Sequence, residues 1–167
     1  MLPCSKAPRG NQAAGDVAFE DQRQRKQFEH ADKNLQSIMK ERDHIEYWIK
    51  SAESDLRAAD ALFESAKYDW CLFIGHLVLE KALKAIFVFK NDNKNPPRIH
   101  NLVKLAELSF LDLSDEENLF LDEVNDFNIA TRYPDYKQEF YKMCTKEYAG
   151  SYFVRVKEFF EWLKSRL

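Results

Sequence analysis

The sequence predicts an all-α protein, an antiparallel bundle of four to five helices behind a flexible N-terminal extension. Three observations carry that prediction. Apolar residues recur at steps of three, four and seven over several long stretches, which is the spacing of one helical face. Only four glycines occur in the chain, so hairpin turns have little to work with. Two capping-box patterns, Asp43 with Glu46 and Ser114 with Glu117, mark helix starts. At 167 residues, 45% of them hydrophobic, the chain can bury one core and is too short for two ordinary domains.

From residue 1 to residue 38 the sequence is polar and irregular, with the mixed-charge run Asp21-Gln22-Arg23-Gln24-Arg25-Lys26. It has too little apolar surface to offset the entropy of ordering, so residues 1–38 are expected to be a disordered or weakly helical extension and 39–167 the domain. Met39 stands where the periodic sequence begins, which also makes it an alternative start; intact mass of the natural protein decides that point.

The first domain helix is expected to start at the Asp43 cap. Ile45, Trp48, Ile49, Ala52, Leu56, Ala59, Leu62 and Phe63 form its core face, and Lys50, Glu53, Arg57 and Asp60 its wet face. After Lys67-Tyr68-Asp69, a second helix runs from about Trp70 to Lys90 and is apolar on most of its circumference, as a central helix or one at an oligomer interface must be. The run Asn91 to Pro97 reads as a loop. A short helix follows from Leu102 to about Leu108, capped by Asn101. The Ser114 box opens the next helix, to about Ala130. Thr131 to Cys144, with Pro134 and four aromatics, reads as a long connection that is functional or holds some structure of its own. The last helix extends from near Lys146 to Ser165.

Composition excludes several function classes. A formal net charge of -3 argues against a broad basic footprint for duplex nucleic acid. Cys4, Cys71 and Cys144 have no paired spacing, so neither a zinc site nor a disulfide framework is expected, and a reducing, cytoplasmic location is. The longest apolar run, Trp70 to Leu79, is well short of the ~20 residues of a membrane span, and no secretory signal opens the chain. Glycine-rich phosphate loops, His-Glu-x-x-His and nucleophile-elbow motifs are missing, and the histidines at 30, 44, 76 and 100 are scattered. No metal, no required cofactor and no confident catalytic residue are expected.

Three groups of residues stand out. His76, Glu80 and Lys84 stand four apart on the second helix and share one stripe of an apolar rod. They read either as a Glu80–Lys84 pair with His76 hydrogen-bonded at the rim, or as part of a site. His100 precedes a helix start, where its imidazole or the neighbouring Asn101 can satisfy backbone donors, and it is also a candidate acid–base group. In Thr131-Arg132-Tyr133-Pro134-Asp135 the proline stops a helix and pushes Tyr133 out of the α region, freeing Arg132. Arg132 and Asp135 form a local ion pair on one reading; on the other, Arg132 offers its fork of donors to a phosphate or carboxylate. The rings of Tyr133, Tyr136, Phe140 and Tyr141 either stack on bases or pack against the last helix.

Five motifs in order give the chain a family likeness. They are Tyr47 to Leu56, Tyr68-Asp69-Trp70, Glu80 to Ala85, Pro97 to Leu102, and Thr131 to Asp135. From about Glu41 to Leu167 the chain resembles the HEPN family. The resemblance implies an all-helical, often dimeric protein, and, for many members, pairing with a minimal nucleotidyltransferase in a toxin–antitoxin-like system. In the family's nuclease branches, an Arg and a His with four to six residues between them form a composite metal-independent RNA-cleaving site at the dimer interface. The chain departs from that pattern: after Arg132, the required positions hold Lys137, Gln138 and Glu139, and Arg98 stands only two residues before His100.

The function expected from this resemblance is that of a non-catalytic or regulatory HEPN partner of a minimal nucleotidyltransferase, a homodimer, binding a nucleotide such as ATP. Its polar cleft would draw on Glu80, Lys84, Arg132, Tyr133 and Asp135, with His76 and His100 as further ligand-binding candidates. The alternatives are a ribonuclease toxin, with Arg132 holding phosphate and His76 or His100 as base, and a dimeric scaffold in which these residues are structural.

Overall fold

The structure is a computed structural model. It describes the backbone of residues 12–132 and 134–167, and the side chains of residues 32–130, 138 and 140–167. Among the described residues it is all-helical: α1 (Gln12–Glu64), α2 (Tyr68–Lys90), α3 (Leu102–Leu108), α4 (Asp115–Arg132), α5 (Pro134–Met143) and α6 (Lys146–Lys164). The chain divides into two compact units, Met1–Met39 and Lys40–Leu167. In the first, Leu35, Ile38 and Met39 are exposed. The second holds the core.

The core is built around α2, which packs against α6, α4, α3 and α5. Leu72, Val78, Leu79, Leu83 and Ile86 of α2 are completely buried, together with Leu121 and Val124 of α4 and Val156 and Leu163 of α6. Burying one such side chain contributes roughly 1.5–3 kcal/mol, so the nearly all-round apolar character of α2 makes it the largest single source of stability. Gly75 lets α6 approach: a Cβ placed there would meet Val156 Cγ1 at 3.5 Å, ordinary contact.

Two expected caps form as read. Asn101 accepts from the Lys104 amide at 2.8 Å and starts α3. At the start of α4 the Ser114 hydroxyl accepts from the Glu117 amide at 3.2 Å, while Glu117 Oε2 accepts from the Ser114 amide at 2.7 Å. A third cap does not form. Asp43 lies inside α1, which runs through it without a break, and Glu46 pairs with Lys50 at 2.6 Å instead of closing a capping box. Nothing between Gln12 and Glu64 stops a helix, since the span contains no proline. The expected long connection after α4 is also largely helix. Pro134 ends one helix and begins the next, occupying the first position of α5, where a missing amide costs nothing.

Candidate functional site

Four residues apart on a helix means neighbours on one face, and His76, Glu80 and Lys84 do share a stripe of α2. All three are buried, with exposures of 0%, 5% and 8%. Buried polar groups need partners, and most of them come from elsewhere in the chain. Lys84 Nζ donates to Glu80 Oε1 at 2.6 Å and sits 5.3 Å from the centre of the Trp48 ring of α1. His100, on the loop before α3, donates from Nδ1 to Glu80 Oε2 at 2.9 Å. His76 donates from Nε2 to the backbone carbonyl of His100 at 2.9 Å. Glu80 therefore has both oxygens engaged, one by a lysine on its own helix and one by a histidine from the loop.

The start of α3 and the His76 ring are held from α4 as well. Asn125 Oδ1 accepts from the Leu102 amide at 2.8 Å, and Asn128 Nδ2 lies 3.5 Å from His76 Nε2. Farther along, His44 of α1 and Asn93 are joined at 2.8 Å, and Asp92 and Asn93 are both left-handed, with φ of 53° and 59°. The 91–101 loop is thus fastened to α1 and α2 by side chains. Burial pushes the Glu80 carboxyl up, but the hydrogen bonds from Lys84 and His100 outweigh it and hold the group below its ordinary value.

The imidazole of His100 stands apart from the rest of the cluster. Its side chain is 56% exposed, and only Nδ1 is engaged among the described residues. Donation from Nδ1 leaves Nε2 as the ring's acceptor in the neutral form.

One expectation needs correction. His76 is not at a rim; it is completely enclosed, under the His100 carbonyl and beside Asn128. Of the two capping candidates before α3, Asn101 fills the role, and the His100 imidazole turns to Glu80. The side chains of Arg132 and Asp135, and all of Tyr133, lie outside the described residues, as does the side chain of Tyr136. Helical spacing places position 132 four residues beyond Asn128 and seven beyond Asn125, on the same stripe of α4. Phe140 packs: it is 8% exposed and lies 5.7 Å from the Phe127 ring. Tyr141 is exposed. Trp48, Asn125 and Asn128 complete the cluster without having been singled out from sequence. The two asparagines sit among buried apolar neighbours of α4, and that was their available signal.

Among the described residues, no helix is long and apolar enough to cross a membrane. The sequence matches the HEPN domain family over residues 45–166, and the chain belongs to that family. No curated protein matches it. Two solved structures share the fold. One is TT1696 from Thermus thermophilus, 19% identical, aligned over 74% of this chain and 98% of its own, with a TM-score of 0.63. The other is ST0689, an archaeal HEPN homologue, 22% identical over 74% of this chain and 97% of its own, with a TM-score of 0.59.

Proposed function

We propose that the chain is a non-catalytic HEPN subunit that acts by binding, as the homodimeric partner of a minimal nucleotidyltransferase in a toxin–antitoxin-like pair, with a nucleotide such as ATP as ligand at the Arg132–Asp135 segment. The observation that carries this reading is the closure of the polar cluster. Glu80 is engaged at both oxygens and His76 is enclosed, so the groups that looked most like a catalytic set hold a loop in place. Sequence supports it too, since no histidine follows His100, and Arg132 lacks the imidazole that the nuclease branches use. Thermal denaturation of the full chain with ATP, GTP and AMP tests the nucleotide part, because a ligand of the folded state raises its melting temperature. A rise that Arg132→Ala abolishes supports a phosphate site at that segment; no response from the wild type removes the nucleotide and leaves the protein partner.

One observation favours a second reading, a ribonuclease toxin. A half-exposed imidazole tied through Nδ1 to a buried carboxylate keeps Nε2 as an acceptor that could take a proton from a 2′-hydroxyl. Induced expression in a bacterial host separates the readings: RNA loss that His100→Gln prevents favours the toxin, and intact RNA with an abundant folded chain favours the binding subunit.

A further inference from the structure

A second feature lies apart from the Glu80 cluster, where the first turns of α4 meet the second half of α6. Between them is a cavity of about 350 Å³. Its apolar lining is a run of rings: the centres of Phe120 and Phe159 are 5.8 Å apart, and those of Phe159 and Trp162 5.1 Å. Its charged lining is Glu116, Glu117, Glu158 and Arg155. Exposed Leu119 stands three residues beyond Glu116, and exposed Val154 four before Glu158. Helical spacing therefore puts an apolar side chain one turn from a carboxylate on each wall.

The charges of this lining do not cancel. Arg155 is committed within the chain: its guanidinium lies 4.3 Å from the centre of the Phe120 ring and 3.9 Å from Glu123 Oε2. Arg166, which does not line the cavity, sits over the Trp162 ring at 4.6 Å. Glu117 spends one oxygen on the Ser114 capping box, while Glu116 and Glu158 have no ion-pair partner among the described residues. The surroundings add to the excess, since no Lys or Arg stands between Glu107 and Arg132, a stretch with seven acidic residues from Asp112 to Asp126. Glu116 gains from the amide end of α4, but Glu158 lies inside α6, away from its amide end. Carboxylates lining one space repel each other, and a cation brought in on an apolar carrier relieves them while covering the rings.

We propose that this groove docks a basic segment of a partner protein, with one apolar side chain in the cavity and Lys or Arg on either side of it meeting Glu116 and Glu158. This goes beyond the proposed function and does not depend on it, since the groove is at the opposite end of α4 from Arg132. Leu119 and Val154 favour a polypeptide over a free small cation, which would leave both uncovered. The full chain is titrated with the peptide Lys-Arg-Leu-Arg-Lys, blocked at both ends, and its amide and indole shifts are followed. The expected result is a saturable change centred on Phe120, Phe159 and the Trp162 indole. Replacing the peptide's leucine by serine should weaken binding about tenfold, the burial of that side chain being lost. Replacing all its cations by glutamine should abolish binding.

Glu116→Gln with Glu158→Gln, both at exposed positions, should keep the fold and weaken binding about fivefold. Asp122→Asn with Asp126→Asn removes the same charge from exposed positions of α4 outside the cavity lining, and should weaken it by about twofold at most. The proposal is overturned if the peptide does not bind, if the serine or glutamine peptide binds as well, if the two aspartate changes cost as much as the two glutamate changes, or if the shifts fall elsewhere. It is also overturned if the glutamate variant changes the oligomeric state in light scattering, which assigns the groove to a second copy of the chain.

Discussion

Glu80→Ala isolates what the cluster contributes. The substitution removes the acceptor 2.6 Å from Lys84 and the acceptor 2.9 Å from His100. The two losses are unequal. His100 is 56% exposed, so water replaces its lost partner. Lys84 is 8% exposed, lies over Trp48, and has no other ion-pair partner among the described residues. Removing one member of a buried pair costs roughly 3–5 kcal/mol, and the easy rescue of His100 places this case near 3. For a domain of this size that is a fall of about 10 °C in melting temperature. Urea denaturation should show the midpoint reduced with the slope unchanged, and Glu80→Met with Lys84→Met should recover to within about 1 kcal/mol of wild type, since no charge is then left buried.

The pH dependence has a definite sign. Because the folded carboxyl is held below the ordinary 4.5, its contribution is present above that value and lost as the pH falls through the lower, folded one. The gap between wild type and Glu80→Ala should therefore narrow in acid. A Glu80→Ala protein within about 1 kcal/mol of wild type at pH 7, or a double variant as unstable as the single one, would refute the clamp.

Two further outcomes follow from the packing. Gly75→Ala should stabilise the domain by up to about 1 kcal/mol, because alanine is the better helix former and its methyl meets Val156 at contact distance; thermal melting checks this, and a loss of stability would mean that α2 and α6 are closer than the contact allows. Burial pushes the thiols of Cys71 and Cys144 up to about 12, so in a Cys4→Ser background neither should react with Ellman's reagent at pH 8 until the chain is unfolded.

The fold was legible where its causes are local. The apolar circumference of α2 and the caps at Asn101 and Ser114 are written in adjacent residues, and all three appear as read. Asp43 misled because a capping pattern only permits a helix start, and the preceding residues contain no stop. Pro134 was read as a break alone, although the same residue is suited to opening a helix. The site was half legible. The stripe of His76, Glu80 and Lys84 follows from four-residue spacing, but what each side chain bonds does not. His100 is 20 residues from Glu80, and Asn128 is 52 from His76, separations at which periodicity carries no information.

Complex formation tests the central claim most directly. The full chain, mixed with a minimal nucleotidyltransferase, is followed by size-exclusion chromatography with light scattering. The account predicts a stoichiometric complex containing both proteins while RNA added to the mixture stays intact. A folded chain that elutes without the nucleotidyltransferase and cleaves the RNA would contradict it.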